Sequence, residues 1–199
     1  MTKLHLGCGT NKKQGWVNID SVKSVNPDLV HDLMEALPYA DQSIEEILAE
    51  DLLEHFDKYM RFIVFYEWVR VLKINGIITL QVPNFKKLLF RYFKFGFDKF
   101  VDMVFGENMW NSKYYIGHFG NHKWGYSSET LQSFVKLFGL EPVKVEFTGL
   151  NIRLSAKKVR HFGWDNLENL EIYAHANAGT ENPKLSLKEI REKIKIYKK

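Results

Sequence analysis

The first fifty residues contain several short apolar runs, and most of these runs are followed by glycines or an acid. Residues 3–7 form a first run that meets Gly7-Cys8-Gly9, a pattern typical of a buried strand entering a tight turn. Val17–Asp20 and residues 28–32 predict two more short strands, each closed by an acid, and a fourth strand is predicted over Ile44–Ala49. Sheets that bind a nucleotide place glycines and acids at the carboxyl ends of neighbouring strands. These strand ends constrain the fold more than any other feature.

The rest of the chain alternates helical and strand-like segments. The predicted elements are a helix over residues 58–73 with one apolar face that Gly76 stops, a strand over Ile77–Val82, a helix capped by Ser127 or Ser128 and closed by Gly139, and two late strands at Pro142–Thr148 and Leu167–His175. Strands that alternate with helices predict a mostly parallel sheet with helices on both faces. Only ten residues, 7–16, separate the first two strands, close to the lower limit for a crossover that carries a helix. The first helix must therefore be very short, or be replaced by a loop around Gly15-Trp16.

The net charge of +4 is concentrated at the C-terminus. Residues 184–199 hold seven of the 28 Lys and Arg side chains and two of the 24 Asp and Glu side chains, so the rest of the chain is nearly neutral. A basic tail on a neutral body is a weak indication of nucleic-acid binding, and we do not expect a nucleic-acid partner. The single cysteine excludes an internal disulfide, and no apolar run reaches the ~20 residues of a membrane span. We therefore expect a cytoplasmic protein.

In this order and spacing, the motifs resemble the class I S-adenosylmethionine-dependent methyltransferases. The matching segments are Leu4–Gly9, Gly15–Asp20, His31–Leu33, Leu37–Asp41, Glu50–His55 and Glu67–Lys73 with Gly76. More narrowly, the chain is similar to a bacterial-type branch often linked to sugar and glycan modification. The resemblance covers roughly residues 3–84 and resumes over residues 122–139. It implies an α/β fold with a Rossmann-like, doubly wound, mostly parallel seven-stranded sheet, an antiparallel strand near the C-terminus and a helical insert after strand 5.

The resemblance also implies that S-adenosylmethionine is the cofactor, and it assigns residues to each part of it. Gly7-Cys8-Gly9 would run beside the methionine part, and Asp20 would bind the ribose hydroxyls. Asp32 would accept a hydrogen bond from the adenine amine, while the backbone amide of Leu33 faces the ring. Glu50-Asp51 would lie under the sulfonium end.

Two residues of the first strand and turn have competing interpretations. Members of the family commonly carry an acid where this chain has His5, which is either a core histidine or a substitute partner for the amino group of the cofactor. We count His5 with the cofactor-binding residues. A catalytic nucleophile at Cys8 would need a base and an electropositive, partly exposed setting. Cysteine is common at this position of the family, so a small buried role is the better interpretation.

Methyl transfer from a sulfonium requires aligned reactants and excluded water, and a hydroxyl acceptor must also lose a proton. Histidine suits that last step near neutral pH. The candidate bases are His118 and His122, followed by His55, which the resemblance puts near the methyl-transfer path. The spacing of His118 and His122 resembles half of a metal site. Because no carboxylate lies nearby in sequence and glycines interrupt any helix there, we expect no metal.

The sequence narrows the acceptor by exclusion. No Asn/Asp-Pro-Pro-aromatic motif follows strand 4, which argues against methylation of amino groups in adenine or glutamine. The sole cysteine lies in the turn expected to bind the cofactor, which argues against its covalent attack on pyrimidine C6. A small molecule, a sugar or a lipid-linked glycan remains, with oxygen as the favoured acceptor atom. Two alternatives stay open: an RNA methyltransferase, and a non-catalytic S-adenosylmethionine-binding or scaffold protein whose site is disabled by His5 and the short crossover. A nicotinamide enzyme is discounted because the third glycine of its fingerprint is absent.

We expect one methyltransferase domain over residues 1–176 and a basic tail or helix over residues 177–199. Within the domain, residues 85–126 form an aromatic helical insert with basic side chains at Lys86, Lys87, Arg91 and Lys94. Three interpretations of the insert stay open. It is a lid over the substrate pocket, a helical hairpin packed on the sheet or on a second copy in a homodimer, or a peripheral contact with a membrane surface.

Overall fold

The computed structural model describes residues 2–58, 60–105 and 121–162, and their centre is a seven-stranded sheet. The strands are β1 Lys3–Leu6, β2 Val17–Asp20, β3 Leu29–Val30, β4 Ile44–Glu50, β5 Leu72–Pro83, β6 Leu140–Thr148 and β7 Asn151–Lys158. Their spatial order is β3-β2-β1-β4-β5-β7-β6. Neighbours from β3 to β5 are parallel, and β7 is antiparallel to both β5 and β6. The predicted fold class is confirmed.

Four helices accompany the sheet in the described ranges. They are α1 Met60–Val71, α2 Phe85–Phe95, α3 Phe97–Phe105 and α4 Ser128–Leu137, and single 3-10 turns occur at Lys23–Val25 and Leu53–His55. No helix lies between β1 and β2, so the loop around Gly15-Trp16 is the correct alternative for the short first crossover. Of these helices, none is both long and apolar enough to cross a membrane.

The strand order reverses direction at β1, because the chain moves from β1 to β2 on one side and later to β4 on the other. Open α/β sheets bind ligands at such a point, beyond the carboxyl ends of the strands. Gly7, Asp20 and Asp51 follow or end β1, β2 and β4 at this edge. The fold therefore brings together the strand ends that the sequence singled out.

The structure corrects two expectations about α1 and β5. The helix is buried on almost every side, with ten of its twelve residues inaccessible, rather than on one face. Helix α1 also packs against α4, where the rings of Phe62 and Phe65 contact the ring of Phe134, with centroid distances of 5.3 and 4.9 Å. Gly76 does not stop the helix, because α1 ends at Val71 and Gly76 lies inside β5. A Cβ at Gly76 would lie 2.9 Å from the carbonyl oxygen of Glu45, so a close approach of β4 requires glycine there.

The C-terminal strands differ from the prediction in one respect. The strand predicted at Pro142–Thr148 is present as β6, but its partner is β7, which the sequence analysis missed. Every second residue of β7 is buried, which is the alternation of a half-buried strand. The predicted strand at Leu167–His175 and the predicted basic tail lie outside the described residues.

The second half of the domain begins with the insert and ends in α4. Ser127 caps α4 in a capping box with Thr130, as predicted, and Leu131, Phe134, Val135 and Phe138 point into the core. The described part of the insert contains α2 and α3, followed at residues 121–126 by a non-helical segment, and α2 exposes Phe90 and Phe93 while it buries Leu88.

Candidate active site

The turn after β1 forms one side of the site. Gly7 and Gly9 both adopt positive φ, at +61° and +49°, where residues with a side chain are strained. A Cβ at Gly9 would meet no protein atom within 4 Å, so the turn faces open space there. A Cβ at Gly7 would lie 2.7 Å from Leu52 Cδ1, so this glycine lets the segment after β4 pack against the turn. The turn is therefore open to a ligand at Gly9, while at Gly7 its backbone is in close contact with the side chain of Leu52.

Asp20 at the end of β2 is fixed by two backbone amides. Its Oδ2 accepts from the amide of Gly9 at 2.8 Å and its Oδ1 accepts from the amide of Val22 at 2.9 Å. Each carboxylate oxygen retains a further lone pair for another donor. The acid is thus held beside the glycine turn in one orientation, with acceptor capacity left over.

His5 lies in the core of β1 and faces β4. It is 1% exposed, its Nδ1 lies 3.2 Å from Oδ1 of Asn18, and its Nε2 lies 3.8 Å from Oε2 of Glu50. Burial lowers its pKa, against the opposing effects of the Asn18 hydrogen bond and the Glu50 charge. The ring is therefore neutral near pH 7.

Glu50 at the end of β4 is held between two cations. Its Oε1 lies 2.5 Å from Nη1 of Arg153 on β7, and its Oε2 lies 3.1 Å from Nζ of Lys13 in the first crossover. Burial alone would raise its pKa, but the hydrogen bonds with Arg153 and Lys13 outweigh it and lower the pKa. Glu50 is thus charged, and a mixed-charge cluster lies beside the glycine turn. The sequence analysis named Glu50 and missed both cations.

The remaining predicted cofactor residues lie at the same edge. Asp32 follows β3, and its Oδ1 accepts from the amide of Met34 at 2.9 Å, while the side chain of Leu33 is buried. Asp51 follows β4 at a positive φ of 51°, and its carboxylate accepts from Gln81 at 3.1 Å and from Asn151 at 3.2 Å.

Cys8 is unsuited to nucleophilic attack. It is buried, and burial together with the charge of Asp20 raises its pKa to about 11. The thiolate, which is the reactive form, is therefore scarce near neutral pH. Its position supports the small buried role expected from the sequence.

A second cluster, made of Glu54, His55 and His122, lies beyond β4. The imidazole rings of His55 and His122 meet edge to face with centroids 5.1 Å apart. One ligand-type atom from each of the three residues lies within 4.8 Å of the others. We refer to these three residues as the histidine–glutamate cluster.

Main-chain hydrogen bonds bring the segment at 121–124 to this cluster. The carbonyl oxygen of Glu54 accepts from the amides of Lys123 at 2.7 Å and Trp124 at 3.1 Å. The amide of His122 donates to the carbonyl oxygen of Phe105, the last residue of α3, at 2.9 Å. The 3-10 turn and the insert are therefore tied together at His122. His118 lies outside the described residues.

Burial sets the protonation of the cluster. It raises the pKa of Glu54 to about 8. Burial, with the charge of His122 next in effect, lowers the pKa of His55 to about 4, while hydrogen bonds with the carbonyls of Asn121 and Asp51 oppose the shift. Burial also lowers the pKa of His122. Both rings are neutral near pH 7. The sequence analysis named both histidines but assigned no role to Glu54, although Glu54 adjoins His55 in the chain.

Comparisons with known proteins agree with the fold described above. Residues 10–80, about a third of the chain, match the family model described as a methyltransferase domain. An S-adenosylmethionine-dependent methyltransferase from Archaeoglobus fulgidus is 17% identical and superimposes with a TM-score of 0.57, over 79% of this chain and 86% of the other. A protein from Pyrococcus horikoshii OT3 is 14% identical with a TM-score of 0.56, over 79% and 81%.

A third solved structure is that of the 1,6-didemethyltoxoflavin-N1-methyltransferase of Burkholderia thailandensis, with 1,6-didemethyltoxoflavin and S-adenosylhomocysteine bound. It is 12% identical with a TM-score of 0.53, over 80% of this chain and 71% of the other. No curated protein matches the sequence. At these identities the solved structures establish the fold, and the family model matches only the part of the chain that runs from β2 through α1 into β5.

Proposed function

We propose that this S-adenosylmethionine-dependent methyltransferase transfers the methyl group to a hydroxyl oxygen of a small molecule or a sugar. The observation that carries the proposal is that two neutral imidazoles lie just beyond β4, at the sheet edge that also carries the glycine turn and Asp20. The glycine turn and the pair of imidazoles are close to each other, because Leu52, which lies two residues before Glu54 in the chain, packs against Gly7.

The residues on the glycine-turn side fit the cofactor. The open face at Gly9 admits a ligand against the backbone, and Asp20 keeps acceptor capacity for the ribose hydroxyls. The methionine end is a zwitterion, and Glu50 offers a partner for its ammonium while Lys13 and Arg153 offer partners for its carboxylate. Asp32 and Leu33 are the proposed adenine contacts, as the family resemblance implies.

When bound, S-adenosylmethionine supplies an electrophilic methyl group on a good leaving group. The protein must then hold the acceptor in line, exclude water and receive the hydroxyl proton. His122 and His55 are the proposed proton acceptors, because a neutral imidazole has a free lone pair for a proton. Beside the cluster, Leu53 is buried in the core and Leu52 packs against that core.

The insert supports the acceptor side of this site. The carbonyl at the end of α3 holds the amide of His122, and hydrogen bonds with the carbonyls of Met103 and Val104 act on its ring. An element that touches a proposed catalytic side chain fits a wall or lid over the acceptor better than a face used only for dimer formation. We therefore propose that the insert encloses the acceptor.

The test combines binding and turnover. Calorimetry with S-adenosylhomocysteine measures the cofactor site, and release of S-adenosylhomocysteine is followed over a panel of sugars, sugar nucleotides, phenols and amines. We expect turnover with hydroxyl acceptors, and a fall in kcat of roughly a hundredfold or more in His122→Asn, with S-adenosylhomocysteine affinity unchanged. His161→Asn, at an exposed histidine, is the matched control. Turnover confined to amines, or an unchanged kcat in His122→Asn, would contradict the proposal.

A further inference from the structure

We propose that Glu54, His55 and His122 together bind a divalent first-row transition-metal ion on the acceptor side of the site. Two histidines and one carboxylate are the protein ligands of many catalytic zinc sites and of non-haem iron sites, which leave coordination positions open for water or substrate. The sequence analysis expected no metal because no carboxylate lies near His122 in the chain. The fold supplies that carboxylate from the 3-10 turn after β4.

Glu54 is the strongest argument for a cation at this cluster. The residue is 1% exposed, and among the described residues neither carboxylate oxygen has a hydrogen-bond partner. A buried carboxylate without a partner is costly unless it is neutralised by a proton or by a cation. The backbone of Glu54 is held in this position because its carbonyl oxygen accepts from the amides of Lys123 and Trp124. A buried, unpartnered acid therefore adjoins two imidazoles.

The histidines also have the surroundings that metal ligands need. A metal-binding histidine usually donates its other ring nitrogen to a backbone carbonyl or a carboxylate, which fixes the ring. Nδ1 of His55 lies 3.2 Å from the carbonyl oxygen of Asn121, and when this nitrogen carries the proton, Nε2 presents a lone pair. Backbone carbonyls of α3 interact in the same manner with the ring of His122.

The spacing requires a modest contraction. Ligand atoms about 2.0–2.1 Å from a tetrahedral ion lie roughly 3.4 Å apart. The three groups lie within 4.8 Å of one another, so binding would draw them together by up to about 1.4 Å. Side-chain rotations on the 3-10 turn and in the segment 121–124 are of that size, and the partly exposed histidines give an ion access to the buried carboxylate.

The consequence for catalysis rests on the proposed function. An ion with open positions would bind the acceptor hydroxyl and lower its pKa, so that its proton passes to water. The acceptor oxygen then forms its bond to the methyl carbon as the carbon–sulfur bond breaks, and S-adenosylhomocysteine leaves. In this arrangement the histidines act as ligands, and the ion replaces them as the means of activating the hydroxyl.

The first experiment measures metal binding without cofactor or acceptor. The purified chain is stripped with a chelator and titrated with Zn²⁺ by calorimetry and with Co²⁺ by visible absorption. We expect one ion per chain and a visible Co²⁺ spectrum of low coordination number. Glu54→Gln and His122→Asn should each weaken binding at least tenfold, while Glu35→Gln and His161→Asn, at exposed positions, should not. No binding to the wild type, or equal binding in all variants, would overturn the proposal.

Two controls separate this proposal from the proposed function and from misfolding. Circular dichroism confirms that each variant is folded, and Glu54→Gln keeps the shape of the side chain, so a folded variant is expected. A chain that binds metal but methylates no hydroxyl acceptor would contradict the proposed function alone. A chain that methylates hydroxyls at full rate after chelation would overturn the metal proposal alone.

Discussion

A methyl group added to the glycine turn tests the proposed cofactor site. Gly9→Ala places a Cβ where no protein atom lies within 4 Å, at a φ of +49°. The left-handed conformation costs a non-glycine residue about 1–2 kcal/mol, and the lower entropy of the unfolded chain returns about 0.4–1 kcal/mol. The net loss of stability is about 1 kcal/mol, which lowers Tm by roughly 2–4 °C for a chain of this size.

Gly15→Ala is the matched control. Gly15 also has a positive φ, +79°, and its Cβ would also meet nothing within 4 Å. The backbone strain is therefore similar, and we expect a similar fall in Tm. Gly15 lies at the other end of the crossover, next to Trp16, whose ring lies 5.4 Å from Nζ of Lys3 at the amino end of β1. It is therefore remote from the edge where the cofactor is expected.

The two variants should differ in cofactor binding. If the open face at Gly9 is where a ligand approaches the backbone, the new methyl group occupies that space, and S-adenosylhomocysteine should bind at least tenfold more weakly, which is about 1.4 kcal/mol. Gly15→Ala should keep the wild-type affinity. Calorimetry with S-adenosylhomocysteine and thermal unfolding provide the two measurements. Equal affinities in both variants would refute the placement of the cofactor beside Gly9.

Three further predictions concern charge. Asp20→Asn should weaken S-adenosylhomocysteine binding by about ten- to a hundredfold in calorimetry, since a hydrogen bond to a charged group contributes about 1.5–3 kcal/mol; an unchanged affinity would contradict its role. Arg70→Ala removes the half-buried partner of Glu67 and should lower the free energy of unfolding in urea by about 3 kcal/mol. Lys86→Ala, which removes an ion pair with Glu129 that is exposed on both sides, should leave the free energy of unfolding almost unchanged. Burial lowers the pKa of Lys158 to about 8 from its ordinary 10.5, so the unfolded chain holds the proton to higher pH. Between about pH 8 and 9.5 the free energy of unfolding of the wild type should therefore rise relative to that of Lys158→Met, by at most about 1.4 kcal/mol per pH unit. If the two proteins show the same dependence of unfolding free energy on pH, this prediction is wrong.

The edge that carries the proposed cofactor residues was predictable because each of these residues is local to its own strand. Gly7, Gly9 and Asp20 each end or directly follow a strand, so the strand pattern and the parallel topology together place them at one edge. No contact distant in sequence is needed for that inference. The same local logic offered Ser127 or Ser128 as the cap of α4, and a very short helix or a loop for the first crossover; in each case one of the two alternatives is the observed one.

Contacts between distant segments could not be predicted in the same way. Arg153 reaches Glu50 across 103 positions, and nothing near either residue indicates the other. The strand that carries Arg153 was itself missed, although Ile152, Leu154 and Ala156 alternate with polar residues as a half-buried strand requires. The meeting of Glu54 with His122 likewise depends on main-chain bonds between the 3-10 turn and the segment after the insert.

We propose that the departure at His5 leaves the cofactor site intact, because the neighbouring strand supplies a carboxylate. Where the family commonly has an acid on β1, this chain buries a neutral ring, and Glu50 on β4 brings its carboxylate to within 3.8 Å of that ring. Lys13, which lies in the short first crossover, forms an ion pair with the same carboxylate. The two features that favoured a non-catalytic protein are thus parts of one mixed-charge cluster suited to a zwitterion. If this interpretation is correct, Glu50→Gln should weaken S-adenosylhomocysteine binding at least tenfold, whereas His5→Asn should change it much less.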